Sequence, residues 1–144
     1  MTGFNHALTG AAIGLALQQP LLIIPVALAS HFILDVIPHF GGHPVYEWGH
    51  KHFPRIIAFD AIMTVGAIAL AIALAPHLVF SIILGVVFAM LPDLSLIHYY
   101  THGKPKHWFH DFHLGIQWFE RPPGLLVEAA YLLFITTAIL ALPK

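Results

Sequence analysis

The run IIAFDAIMTVGAIALAIALA, residues 56–75, restricts this chain more than any other feature: twenty positions interrupted only by Asp60, Thr64 and Gly66. About 20 helical residues cross a hydrocarbon core of about 30 Å, and backbone in lipid must satisfy its hydrogen bonds within its own segment. A helix is therefore the form such a run takes in a membrane. The rest of the chain agrees with that reading, since 58% of its 144 residues are hydrophobic and only 9% are charged, well outside the range of a soluble globule. These observations predict an all-α, integral-membrane bundle built as one domain over residues 1–144.

Chain punctuation divides the bundle into about five helices. Residues 7–17 are too short to cross unaided, and Asn5 as N-cap starts a first helix at His6. Gln18-Gln19-Pro20 marks a turn, and a second helix runs over Leu21–Ile37 with Pro38 ending it. Residues 56–75 form the third helix, 78–91 a short fourth ended by Pro92, and 125–142 the last. Between them, residues 104–120 read as an amphipathic interfacial helix. Trp108, Phe109, Phe112, Ile116 and Phe119 share one side, while Lys106, His110, His113 and Gln117 share the other. The opening MTGFNHALTG lacks the basic region of a signal peptide, which predicts that it is retained.

Ionisable groups inside apolar segments are costly and face a bundle interior, a partner or a cavity. The segment SHFILDVIPH, residues 30–39, carries three of them: His31, Asp35 and His39 recur every four residues. On a helix that spacing stacks them along one face about 6 Å apart, close enough to share a cation. A hydrogen-bonded His/Asp pair fastening two helices is the plainer alternative. Asp60 either pairs with Arg55 or a histidine, or turns inward to the same ligands.

Counting crossings brings His6, His31, Asp35, His39, Asp60, Asp93, His98, His102, His110 and His113 to one end of the bundle. Eleven of the twelve histidines lie there, a segregation that independent structural histidines have no reason to show. Lys51, Arg55, Lys104, Lys106 and Arg121 fall at the same end, so the positive-inside rule makes that end cytoplasmic. With no Cys in the chain, any metal is held by imidazole and carboxylate, a donor set that suits zinc, manganese or iron. Six Lys+Arg and a net charge of −1 leave no basic surface for a nucleic acid.

Convergent His and Asp groups point to a centre for one or two divalent ions, which would activate water and clamp a phosphoester. Asp35, Asp60 or Glu47 is the candidate general base if not ligated. A membrane lipid or lipid-linked phosphoester is the expected substrate. Asn5-His6, Ser30-His31-x-x-x-Asp35-x-x-Pro38, Leu91-Pro92-Asp93 and His98-x-x-Thr101-His102 resemble the signatures of the YdjM-like, LexA-regulated inner-membrane family of predicted metal-dependent hydrolases. The motifs stand in a different order here. The resemblance covers about a fifth of the chain, and it implies metal ligation by His31 and Asp35, and by Asp93 and His102.

Two other functions compete. A di-iron lipid oxidase or desaturase also gathers histidines at the cytosolic face, but its paired His-His boxes are missing here. A metal carrier or transporter would place polar groups near the midplane, where this chain offers only Thr64, Ser81 and Thr136.

Overall fold

The computed structural model describes residues 1–41, 51–94 and 108–142. Six helices account for most of them: α1 (Gly3–Leu17), α2 (Pro20–Val36), α3 (Phe53–Leu74), α4 (Val79–Met90), α5 (Trp108–Ile116) and α6 (Gly124–Ala141). One turn of 3-10 helix, Pro76–Leu78, leads into α4, and another, Leu91–Asp93, leaves it. The fold is all-helical. Among the described residues, three segments are long and apolar enough to cross a membrane: Phe53–Leu74, Pro76–Asp93 and Gly124–Ala141.

The shortest of the apolar helices after α4 is the innermost. Nine of the 15 residues of α1 are buried, against three of the 22 in α3, and α1 packs on α2, α3, α4 and α6. Its small residues make this possible. Gly10 lies against the backbone of Gly85, and Gly14 against that of Ser81, so closely that a β-carbon at either glycine would collide with α4. Lipid tails are as apolar as leucine, so close backbone packing of small residues takes over the role that hydrophobic burial has in water. Around this seam Ala7, Leu8, Ala11, Leu15, Ala71, Ile82, Val86, Ile135 and Ile139 form the core. The outer faces carry bare apolar side chains such as Leu21, Phe59, Ile62, Phe80, Leu126 and Leu133.

Helix ends follow local chemistry, with one correction. Gln18 closes α1 in a left-handed conformation, φ 55°, with its N–H on the Gly14 carbonyl, making the tight turn expected at Gln18-Gln19-Pro20. Ile37 is extended, ψ 144°, as a residue before proline must be, and α2 stops at Val36. The start of α1, however, is Gly3 and not His6, and Asn5 is not its cap. The first amides are satisfied from other helices: Asp60 accepts from Gly3 N at 3.0 Å and Phe4 N at 3.1 Å, and Glu128 accepts from Thr2 N at 3.2 Å. Two carboxylates at this end serve the positive end of the α1 dipole in place of a local cap.

These contacts fix the antiparallel order. The N-terminus of α1, the C-terminus of α2, the N-terminus of α3, the turn after α4, helix α5 and the N-terminus of α6 gather at one end. At the other end Ser81 Oγ donates to the Gln18 carbonyl at 3.5 Å.

Candidate metal centre

Four side chains from three elements meet at the crowded end: His31 and Asp35 from the last two turns of α2, Asp93 from the 3-10 turn after α4, and His113 from α5. One potential ligand atom from each lies within 4.8 Å of all the others. His31 Nε2 is 3.0 Å from His113 Nε2, 3.2 Å from Asp35 Oδ2 and 3.6 Å from Asp93 Oδ1. His113 Nε2 is 3.0 Å from Asp35 Oδ2 and 3.8 Å from Asp93 Oδ1.

These distances test the fit to a cation. A tetrahedral ion bound at about 2.0–2.2 Å keeps its ligand atoms roughly 3.3–3.6 Å apart, and the five observed separations bracket that range. Protonation points the same way. His31 Nδ1 donates to the Ala89 carbonyl at 2.7 Å, so in neutral His31 the Nε2 lone pair faces the group, the orientation a metal-ligating imidazole takes. His113 Nε2 faces that lone pair and two carboxylates, while its Nδ1 finds no hydrogen-bond partner among the described residues. One proton on His113 Nε2 cannot serve three acceptors at once. Among the described residues the Met1 amino group is a cation paired with Asp35, on Oδ1, while no Lys or Arg side chain pairs with either carboxylate; a cation at the centre would balance the acceptors that converge on the Oδ2 side. The two-nitrogen, two-oxygen set suits zinc, iron or manganese.

Burial divides the four. The side chains of His31 and His113 are 0% exposed and that of Asp35 is 1%, whereas that of Asp93 is 28% exposed. Asp93 also stands farthest from the two imidazoles. The group therefore opens to the outside on the Asp93 side.

Neighbours hold Asp35 from both directions. Gln117 Nε2 donates to Oδ2 at 3.2 Å. On the opposite oxygen, Oδ1, His6 Nε2 sits at 3.1 Å and the Met1 nitrogen at 2.6 Å. The His6 ring is stacked on that of His31, centroids 4.1 Å apart and planes 20° apart.

The residues singled out in the sequence fall into several groups. His31, Asp35, Asp93 and His113 come together, with His6 beside them. His39 is buried but engaged elsewhere: its Nδ1 donates to the Ile37 carbonyl at 2.8 Å, and its backbone pairs with the segment at Glu120 and Arg121. Pro38 ends the helix before His39, so the four-residue register along α2 breaks there. Asp60 turns inward but is not one of the four: among the described residues its oxygens accept from the first amides of α1. His110 is buried, one turn before His113, and is not one of the four. His98, His102 and Glu47 lie outside the described residues.

Helix α5 turns its histidines inward and its large apolar side chains outward. His110 and His113 are buried, while Trp108, Phe112 and Leu114 are exposed. Glu128, near the start of α6, is a junction. It is buried and accepts from Thr2 N and Oγ1, from Asn5 Nδ2 at 3.0 Å and from Phe40 N at 3.1 Å. The cost of an isolated charge in an apolar helix was the available signal.

No protein-family profile, curated protein or solved structure matches this chain.

Proposed function

We propose that this chain is an integral-membrane, metal-dependent hydrolase. Its His31/Asp35/Asp93/His113 centre takes a divalent cation, zinc before manganese or iron, and acts on a lipid-linked phosphoester at the cytoplasmic face of the inner membrane. The observation that carries this reading is the convergence of two imidazole nitrogens and two carboxylates at separations of 3.0–3.8 Å. A cation there supplies Lewis acidity and lowers the pKa of a bound water.

The chain's own residues divide the remaining work. His31, Asp35 and His113, all buried, hold the ion, and Gln117 keeps Asp35 in place. Asp93, the most exposed and most distant member, is suited to take a proton from the attacking water. This moves the role of base away from Asp60, whose oxygens are occupied by α1 amides. One ion fits better than two, because one ligand atom from each of the four lies within 4.8 Å of all the others. The outward Trp108 and Phe112 of α5 favour an amphiphilic substrate, with its chains in lipid and its head group at the centre. Lys51, Arg55 and Arg121 at this end favour a cytoplasmic orientation. The Ser30-His31-x-x-x-Asp35 and Leu91-Pro92-Asp93 motifs, which resemble the YdjM-like family, supply three of the four residues.

One observation favours a second reading. Four protein ligands closing a tetrahedron are typical of structural zinc sites, whereas catalytic sites keep a position open. A non-enzymatic metal-binding membrane protein would use the same four residues with Asp93 permanently bound.

Elemental analysis of detergent-purified protein lacking an affinity His tag, before and after chelation, is the test, followed by assays on lipid-linked phosphoesters. One tightly held equivalent with metal-dependent hydrolysis supports the hydrolase. Tightly held metal with no hydrolysis favours the second reading, and substoichiometric metal that reloading cannot raise overturns both.

A further inference from the structure

We infer that His6 is a positioning residue that holds Asp35 so that only Oδ2 faces the cation. The inference deepens the metal reading and rests on it. A carboxylate free to rotate offers both oxygens, which alters the coordination number and spreads the ligand set. Here the two oxygens have separate duties. Oδ2 faces His31 and His113, and Oδ1 meets His6 Nε2 at 3.1 Å and the Met1 nitrogen at 2.6 Å; of these two, His6 is the side chain, held in place by its helix.

Beyond Asp35, His6 meets a second member of the group, His31. It is fully buried, its ring lies flat on His31, and its Nδ1 has no partner among the described residues. With Nε2–H donated to Asp35, neutral His6 carries its lone pair on Nδ1. One residue therefore touches two of the four ligands, by a hydrogen bond to one and a stacked ring on the other.

The placement of His6 is itself determined from outside the site. It sits on the second turn of α1, whose first turn is gripped by Asp60 from α3 and Glu128 from α6, and whose glycines lock it against α4. This assigns Asp60 and Glu128 a function after all. They fix the register of α1, and through it the orientation of Asp35.

Cobalt(II) titration of the detergent-purified full chain, read by visible absorption, tests the inference. His6→Ala should bind cobalt about 10–100-fold more weakly, the range for losing a partner that orients a ligand, with a changed spectrum. His6→Gln, whose amide nitrogen reaches about as far as Nε2 and keeps the N–H donor, should restore both affinity and spectrum. His6→Asn, one methylene shorter, should not. If His6→Ala fails to fold, the contrast between the Gln and Asn variants decides the matter. Native affinity and spectrum in His6→Ala, or an equal loss in His6→Gln and His6→Ala that marks His6 as a ligand, would overturn the inference while leaving the metal centre standing. A native chain that takes up no cobalt overturns the metal reading itself.

Discussion

His31 Nδ1 and the carbonyl oxygen of Ala89 are 2.7 Å apart, and Ala89 precedes Asp93 by one helical turn. The end of α4 thus sets the tautomer of one candidate ligand and delivers another. This coupling explains how a group split among α2, the turn after α4 and α5 comes together, since the α2–α4 contact orients His31 close to where the chain delivers Asp93.

Removing a single member should therefore show in metal content. His31→Ala, Asp35→Ala and His113→Ala should each weaken zinc binding by more than about 100-fold, beyond the effect of losing an orienting neighbour alone. His77→Ala, at the opposite end of the bundle, should leave binding unchanged. Equal zinc retention across all four proteins, measured by mass spectrometry of the metal after gel filtration, would remove the proposed centre.

Glu128 makes a separate prediction about stability. Glu128→Ala strands the donor of buried Asn5 and those of half-buried Thr2 and Phe40, and an unsatisfied buried donor costs about 1–3 kcal/mol. The loss should appear as a lower thermal midpoint in detergent even when metal has been chelated. An unchanged midpoint in the metal-free protein would show that water or lipid head groups satisfy these donors as well as the carboxylate does.

The bundle was legible in the sequence because long apolar runs admit few alternatives in lipid, and Gln18-Gln19-Pro20, Pro38 and Pro92 mark where the chain changes element. His31 and Asp35 were legible for a related reason: helical spacing alone makes them neighbours. What the sequence could not give was choice among equivalent candidates. His39 continues the same spacing, but Pro38 ends the helix one residue earlier. His110 and His113 are both buried, and which of them meets Asp35 depends on how α5 docks on α2. Asp60 and Glu128 carry the same warning of a charge in an apolar helix. Their shared task of capping α1 is visible only when three helix ends are brought together.

The glycine seam should transmit damage to the site. A β-carbon at Gly85 would collide with the Gly10 carbonyl, so Gly85→Ala must push α1 from α4, at a cost of about 1–3 kcal/mol for overpacking. Because α1 carries His6 and α4 leads to Asp93, zinc affinity should fall together with thermal stability. Gly66→Ala provides the control, since nothing lies within 4 Å of a β-carbon there. It should be neutral or stabilising by up to about 1 kcal/mol, the helix preference for alanine. A Gly85→Ala protein with native stability and zinc affinity would mean that the seam has slack enough to absorb a methyl group.

The end that carries the cations makes a prediction about orientation. Lys51, Arg55 and Arg121 sit at the end that holds the His/Asp group, and the turn at Gln18 lies at the other. The chain contains no cysteine, so single cysteines can be introduced without a background. In inverted and right-side-out vesicles, Gln18→Cys and Arg121→Cys should react with a membrane-impermeant maleimide from opposite sides, with Arg121→Cys accessible from the cytoplasmic face. Labelling of both from the same face would break the antiparallel crossing count. Labelling of Arg121→Cys from the outer face alone would instead keep the bundle and invert it, placing the metal centre, and any lipid substrate it acts on, in the outer leaflet.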